Sequence, residues 1–412
     1  MSKTNELPQK QNLFKRWLFS LGPCIITAAL VFGPSKMTIT SKMGADYGYS
    51  LLWVVGLAIF FMIVFTRMST RIGSVSDYSL LTLIRQKFGN KIAIAIGVGI
   101  FLVTASFQAG NSIGVGIAVA EASDTDPTMW VLIFNALGLL LLFFRSFYKL
   151  MEKLMIALVA IMLFAFLTTL FMVDPDIGKT AAGFIPSMPA GSLGLTIAFT
   201  ASCFSLVGAF YQAYLVQERK KARVIDAPEE NAQASSTTGI IILGIMGAVV
   251  LICAAAVLNP QGIKVNSASE MAKALEPLFG NYASTLFFIG LFGASFSSLV
   301  GNATVGGTLL GDALGYGSNL NNKSVKLLIA LVMIVGAAVA IKFGKLPLEL
   351  IVLAQSITIF LVPFTGIALF LIANDRSVMG NMVNKPLTKV FGVLGLLVII
   401  GLAISSIITM MK

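Results

Sequence analysis

The segment LVFGPSKMTITSKMG, residues 30–44, places a glycine, a proline and a lysine inside an otherwise apolar run. Gly33 and Pro34 interrupt a helix, because proline donates no backbone hydrogen bond and its ring clashes with the preceding turn. Inside a bilayer, non-helical backbone is tolerated only where it is buried in protein or lines a cavity. The segment therefore predicts a broken helix with Lys36 beside the break.

The rest of the chain has the composition of an integral membrane protein. Of its 412 residues, 57% are hydrophobic and only 11% are charged, whereas soluble domains carry about 25% charged residues. This balance excludes a soluble enzyme and a disordered chain. Apolar stretches of bilayer length predict an all-α protein with eleven transmembrane helices, at residues 17–44, 49–66, 92–120, 129–147, 151–173, 193–216, 237–258, 283–311, 325–342, 347–373 and 388–411.

The basic residues predict how these spans are oriented. Most of the 29 lysines and arginines fall before the first span or in alternate loops, and loops enriched in basic residues stay in the cytoplasm. We therefore expect a cytoplasmic N-terminus and a C-terminus outside. The net charge of +11 is explained by this topology, so no nucleic-acid partner is expected.

A second interruption is predicted in span six, over residues 205–209 (SLVGA). Interrupted helices at matching positions of two five-helix halves are typical of inverted-repeat transporters that hold their cargo at the midplane. The predicted organisation is a cytoplasmic tail, 1–16, and one transporter domain, 17–411. That domain comprises a first repeat, 17–173, a second repeat, 193–373, and an eleventh helix, 388–411. A kinked helix plus a packing glycine is the alternative interpretation.

Several stretches, taken in chain order, resemble one known family. They are SKMGADYGYSLLWVV (41–55), FYQAYLVQER (210–219), GASFSSLVGNATVGG (293–307), LAQSITIFLVPF (353–364) and NDRSVMG (374–380). The chain resembles the Nramp divalent-metal transporters over most of its length. The resemblance implies a LeuT-type fold with a 5+5 inverted repeat plus one helix, in which helices 1 and 6 are broken at the midplane. It also implies a bacterial inner membrane.

The residues that hold metal in the resembled family are mostly replaced. Its metal-binding aspartate and asparagine correspond to Gly33 and Lys36, and its methionine to Ser205. The glutamine of the tenth helix is retained as Gln355.

The family's proton-route residues are replaced as well. Its two route acids correspond to Gln108 and Asn111, and its two histidines to Val207 and Gln212. The chain contains no histidine at all.

These replacements argue against a metal site of the family's pattern. The 18 carboxylates fall in loops or at span ends, so no negative charge is expected at the midplane. A positive charge about 4 Å from another is repelled by roughly 4 kcal/mol at an effective dielectric constant of 20, which is about three decades in affinity. No metal site is therefore expected; if metal binds, Gln355 and Cys203 are the candidate ligands.

Three hypotheses compete for Lys36, since an ionisable residue inside a membrane is a functional candidate by default. It attracts an anionic substrate, it loads and unloads a proton during transport, or it only fills the position vacated by the metal. The predicted substrate-binding residues are Gly33, Ser35, Lys36, Thr38, Ser202, Ser205, Gly208 and Gln355. The predicted polar or proton route contains Lys36, Gln108, Asn111 and Gln212.

The sequence thus predicts a secondary active transporter in which spans one and six rock against spans three, four, eight and nine. We expect its substrate to be a small anion, of the bicarbonate or small carboxylate class, or a polar solute. The alternative is a divalent cation, Mn²⁺, Fe²⁺ or hydrated Mg²⁺, and a non-transporting membrane sensor is the alternative of another class. No enzymatic nucleophile–base pair is visible, no cofactor is expected, and H⁺ or Na⁺ is left open as coupling ion. The expected partners are the cargo and the lipid bilayer, with a monomer as the functional unit.

Overall fold

The computed structural model of the chain describes residues 32–143, 145–203, 206–221, 229–343 and 347–411. Every regular element within these ranges is a helix. In chain order the α-helices are α1 (Pro34–Tyr47), α2 (Leu52–Val75), α3 (Leu80–Phe88), α4 (Asn90–Ser123), α5 (Pro127–Leu141), α6 (Arg145–Met172), α7 (Ile177–Ala182), α8 (Leu193–Cys203), α9 (Leu206–Lys221), α10 (Glu229–Val257), α11 (Ala268–Ala272), α12 (Glu276–Phe279), α13 (Ala283–Ala313), α14 (Lys323–Phe343), α15 (Pro347–Ile357), α16 (Val362–Ala373), α17 (Arg376–Met379) and α18 (Pro386–Met410).

Among the described residues, seven helical stretches are long and apolar enough to cross a membrane, or eight if one bent pair counts as a span. Shorter apolar helices lie at Pro127–Leu141 and Ala157–Met172. The residues before Phe32, which include the tail and most of the predicted first span, lie outside the described ranges. A multi-pass membrane protein is confirmed, and the count of eleven spans stays a prediction.

The first predicted break coincides with a helix start. Phe32 and Gly33 are not helical, and α1 begins at Pro34. Proline suits the first turn of a helix, where its missing N–H has no intrahelical partner to lose. The local sequence therefore determines where this helix begins.

Most of the second predicted break is helical. Helix α9 begins at Leu206, so four of the five residues assigned to the interruption belong to a helix. The remaining residue, Ser205, lies outside the described residues.

A third irregularity, in the predicted tenth span, was missed by the sequence analysis. The helical segments Leu348–Phe360 and Val362–Ala373 are bent by 44° relative to each other. Residues Thr358–Phe360 form a turn of 3-10 helix, and Pro363 lies in the first turn of α16. Because proline breaks the hydrogen-bond ladder, the bend falls at the junction between α15 and α16.

Packing between helices supports the predicted scaffold. The most extensive helix contact joins α4 and α13, and α14 packs against both of them while α5 packs against α4 and α14. These four helices correspond to the predicted spans three, eight, nine and four. Helix α1 packs mainly against α10, and α9 against α2. The main contacts of α1 and α9 therefore lie outside the four-helix scaffold.

The bundle has two ends, which we name after one residue each. The connections 48–51, 124–126, 173–192 and 258–282 lie at the Glu121 face, where Glu121 accepts hydrogen bonds from the backbone N–H groups of Ala268 and Ser269. The connections 76–79, 314–322 and 374–385 lie at the Lys87 face, where Lys87 forms an ion pair with Asp375.

Candidate functional site

The first turn of α1 lies directly on the backbone of α4. A Cβ atom added to Gly114 would come within 2.7 Å of the Pro34 Cβ, and one added to Gly110 within 3.0 Å of the Ser35 Oγ. These two glycines are one helical turn apart, so α4 presents a flat strip to the start of α1. Ser35 and Lys36 are consequently buried, with 7% and 8% of their surface exposed.

The N-terminus of α1 is uncapped by any side chain that the structure describes. The Met37 N–H reaches the Gly33 carbonyl at 3.3 Å, whereas the N–H groups of a helix's first turn have no partner of their own. A helix N-terminus carries a partial positive charge that favours anions. The Lys36 side chain is buried in the same first turn.

Gln355 connects the second half of the chain to this helix start. Its Nε2 donates a hydrogen bond to the Ser35 Oγ at 2.9 Å, and only 2% of Gln355 is exposed. Its Oε1 is buried and has no hydrogen-bond partner among the described residues. Two of the predicted substrate-binding residues, Ser35 and Gln355, are therefore in direct contact; their role in binding a substrate stays a prediction.

Other buried polar atoms around α1 share this property. The hydroxyl oxygens of Thr38, Ser295 and Ser297 also have no hydrogen-bond partner within the described part of the chain. A buried polar group left unpaired costs about 1–3 kcal/mol, and such groups mark places where water, an ion or a ligand is bound. The α1 start is thus a polar site whose hydrogen-bonding capacity the described residues do not fill.

Helix α8 packs against α1 and ends at the buried Cys203, which is 2% exposed. The neighbouring Ser202 is 1% exposed and donates to the Phe199 carbonyl at 3.0 Å. None of the ion pairs formed by the described residues involves Lys36. Within the described part of the chain, Lys36 is therefore buried without a carboxylate counter-ion.

The space beside Gly33 is occupied by side chains of the scaffold. A Cβ added to Gly33 would lie 2.8 Å from the Ser298 Oγ, and the Asn111 Oδ1 is 3.7 Å away. The residues that the structure describes contain no group of three or more His, Cys, Asp or Glu side chains that could hold a metal ion. An aspartate at position 33 would require Ser298 to move.

The predicted polar route is only partly assembled. The Gln108 Nε2 donates to the Leu299 carbonyl at 2.9 Å, and the Asn302 Nδ2 donates to the Gln108 Oε1 at 3.2 Å. Gln108 therefore joins α4 to α13, which is a packing role. Asn111 lies next to Gly33, whereas Gln212 is half-buried and Gly208 exposed on α9. A proton route through these residues stays a prediction.

A buried carboxylate at the Lys87 face was overlooked by the sequence analysis. Asp312 lies one residue beyond the predicted span eight, yet only 6% of it is exposed. Its Oδ2 accepts hydrogen bonds from the Ser79 Oγ at 2.6 Å and the Tyr214 hydroxyl at 2.5 Å. In the sequence, Asp312 lies between the apolar pairs Leu309-Leu310 and Ala313-Leu314, and this position predicts that it is buried.

In the described residues, an all-helical bundle surrounds a helix that begins at a buried polar site, an arrangement typical of inverted-repeat transporters. Residues 24–409 match the family model described as natural resistance-associated macrophage protein-like, Nramp. The chain belongs to this family, so the predicted resemblance is confirmed. Members of the family are transporters, and the prediction that the chain is not an enzyme is confirmed with it.

Two curated relatives illustrate the similarity along the chain. A protein named divalent metal cation transporter MntH from Acidiphilium cryptum is 28% identical over 400 residues, covering 93% of this chain and 89% of the relative. A protein of the same name from Caldanaerobacter subterraneus is 24% identical over 397 residues, covering 94% and 93%.

Solved structures show the same fold. The manganese transporter of Eremococcus coleocola superposes with a TM-score of 0.78 at 20% identity, covering 98% of this chain and 89% of that one. Mhp1, a nucleobase-cation-symport-1 family transporter, superposes with a TM-score of 0.61 at 13% identity, covering 93% and 91%. The predicted LeuT-type fold is thereby confirmed.

Proposed function

We propose that this Nramp-family transporter moves a small anion, of the bicarbonate or small carboxylate class, by alternating access around the start of α1. The observation that carries the proposal is Lys36, a buried lysine at a helix N-terminus for which the described residues supply neither a side-chain cap nor a paired carboxylate. A buried charge without a partner costs several kcal/mol. A monovalent anion would remove that cost and benefit from the helix N-terminus as well.

Neutral donors around the ammonium suit an oxyanion. The Ser35 hydroxyl and the Gln355 amide are already hydrogen-bonded to each other, so both are oriented before a ligand arrives. Ser202 and Cys203 border the same region from α8. Groups held in place in this way bind a ligand with little further loss of conformational entropy.

Divalent metal transport is the second candidate, and the comparisons support it better than they support the anion. The curated relatives are named divalent metal cation transporters, and the solved neighbour is a manganese transporter. In this chain the Gln355 Oε1 and the Cys203 thiol are the available ligands, and a hydrated Mg²⁺ would need few direct ones. The Lys36 charge and the Ser298 side chain beside Gly33 oppose this candidate.

A thermal-stability screen of the purified full chain in detergent separates the two candidates. Bicarbonate and small carboxylates are compared with Mn²⁺ and Mg²⁺, in the wild type and in Lys36→Ala. A ligand at one hundred times its Kd adds about 2.7 kcal/mol to the stability of the native state. We expect an anion to raise the Tm of the wild type and to leave that of Lys36→Ala unchanged.

Lys42→Ala is the matched control, because Lys42 lies on the same helix but donates to the Val265 carbonyl at 2.6 Å, towards the Glu121 face. It should retain the anion effect. If Mn²⁺ or Mg²⁺ stabilises the protein and does so equally or better in Lys36→Ala, the anion proposal fails and the metal candidate takes its place. Binding of an anion without any flux into proteoliposomes would instead favour a sensor.

We also propose that the Lys87 face is cytoplasmic, in a bacterial inner membrane, and that a monomer is the functional unit. The orientation rests on the basic residues that accumulate at this face, among them Arg71, Arg85 and Lys87, and on the rule that such loops are retained inside. The two repeats, 17–173 and 193–373, are proposed on the five-helix offset between the two interrupted spans.

A further inference from the structure

Three residues of α9, each three positions after the last, bond this helix to other segments at the Lys87 face. The Tyr214 hydroxyl donates to Asp312, and the Gln217 Nε2 donates to the Ser76 and Tyr78 carbonyls at 3.0 and 2.6 Å. The Lys220 ammonium reaches the Asp77 carboxylate at 2.8 Å. Residues three apart lie on the same side of a helix, so these contacts form one continuous attachment.

Asp312 is the buried centre of this attachment. Both the Tyr214 hydroxyl and the Ser79 hydroxyl donate to the same carboxylate oxygen. Hydrogen bonds to an ionised carboxylate are roughly twice as strong as those between neutral groups. The Arg85 guanidinium donates to the carbonyls of Asp312 and Ala313 at 2.8 Å each, which holds the end of α13 in place.

The backbones of α9 and α2 lie in close contact near the Lys87 face. A Cβ added to Gly73 on α2 would lie 2.5 Å from the Ala213 carbonyl oxygen on α9. The Gln217 bonds reach residues that directly follow α2, so they join α9 to α2, whereas the Tyr214 bond joins α9 to α13. Movement of α9 away from α13 therefore requires that the Tyr214–Asp312 bond break.

We propose that Tyr214, Asp312 and Ser79 form a latch that keeps the Lys87 face closed and that opens when α9 moves away from α13 and α3. The latch joins one half of the interrupted span six to α13, a helix of the scaffold, and to the loop before α3. It depends on alternating access and not on the identity of the cargo, so it stands whether an anion or a metal is carried.

Cys203 provides a native reporter for opening. It is the last described residue of α8 and is 2% exposed. The experiment measures the rate at which N-ethylmaleimide alkylates Cys203 in the detergent-solubilised full chain carrying Cys24→Ser, read by mass spectrometry of the Cys203 peptide. We expect Asp312→Asn and Tyr214→Phe each to raise this rate about tenfold, the factor that corresponds to one charge-assisted hydrogen bond.

Two controls keep the result specific. Asp375→Asn makes the same change of charge at the same face, where Asp375 pairs with Lys87 on α3, and it should leave the rate unchanged. Cys253, fully buried on α10, reports general loosening and should stay unlabelled in every variant. The latch is ruled out if Asp312→Asn and Tyr214→Phe alkylate at the wild-type rate. It is also ruled out if Asp375→Asn accelerates the reaction equally or if Cys253 is labelled in parallel.

Discussion

Two polar regions of the molecule are organised in opposite ways. The central site, which comprises Ser35, Lys36, Gln355 and Ser295 around the start of α1, contains buried polar atoms without partners. The Asp312 cluster, which comprises Ser79, Arg85, Tyr214 and Asp312 at the Lys87 face, contains a carboxylate bonded by two hydroxyl groups. Both regions join segments that are far apart in the chain.

This difference in hydrogen bonding distinguishes a site that can bind a ligand from a contact that closes the protein. Satisfied hydrogen bonds contribute to stability and restrain the helices that they join, whereas unpaired buried groups reduce stability until a ligand satisfies them. The central site therefore has the unpaired polar groups expected of a ligand-binding site. The Asp312 cluster has the chemistry of a contact that the closed protein makes with itself.

The largest change in stability is expected for Asp312→Ala. Removing the carboxylate leaves the buried Tyr214 hydroxyl without its acceptor and reduces Ser79 to its hydrogen bonds with Thr82, which we expect to lower the free energy of unfolding by about 1–3 kcal/mol. The measurement is an SDS titration of the protein in mixed micelles. Asp375→Ala, at the more exposed Lys87 pair, should cost less than half as much. Equal losses in the two variants would show that the Asp312 cluster has no special strength.

Ser295→Ala is expected to raise the stability of the protein, by a smaller amount than Asp312→Ala lowers it. The Ser295 hydroxyl is fully buried and unpaired among the described residues, so its removal eliminates a desolvation cost. We expect the same titration to give a stability gain of up to about 1 kcal/mol. Ser112→Ala is the comparison, since Ser112 is equally buried but bonded to Asn135, and it should lose stability. A loss of more than about 1 kcal/mol in Ser295→Ala would contradict an unpaired hydroxyl at the central site.

The smallest expected effect is the pH dependence of the stability that Asp375 contributes. A hydrogen bond from Lys87, with further ones from Ser377, lowers the pKa of the Asp375 carboxyl to about 2. Because the folded-state pKa lies below the unfolded value, this carboxylate contributes stability above about pH 4, and the contribution is lost as the pH falls towards 2. We expect the loss to be about 1 kcal/mol or less, as for other salt bridges near a surface.

The pH prediction is checked by the difference in stability between wild type and Asp375→Asn at pH 6 and near pH 3. That difference should shrink at the lower pH, since the asparagine cannot titrate. A difference that is the same at both values would mean that the Lys87–Asp375 pair contributes nothing to folding in solution.

The position of the first break was predictable because its cause is local. Proline at position 34 determines where α1 starts, whatever surrounds it. The bend between α15 and α16 was not predicted although Pro363 is there, since a proline in a membrane helix produces either a smooth kink or a change of direction, depending on its neighbours. Likewise, Val207–Ala209 were expected to be unwound and are helical, because a glycine alone does not break a membrane helix.

The candidate site was predicted in its residue types more than in its contacts. Ser35 and Gln355, which lie 320 positions apart, were both selected from the sequence and are hydrogen-bonded. That Ser298 occupies the space beside Gly33 was not predictable, because it depends on how closely α13 approaches α1. Gln108 was selected as part of a polar route and instead bonds the Leu299 carbonyl.

The sequence by itself determined the class of protein, the family, the residue at which α1 begins and the absence of histidine. Hydropathy, proline chemistry and residue identity are properties of single residues or short windows, so they can be read along the chain. Only the tertiary structure decided which buried polar groups are paired, as in Tyr214 with Asp312, and which are left unpaired, as in Gln355. A hydrogen bond requires two atoms within about 3 Å, and between distant segments that distance is determined by how the helices pack.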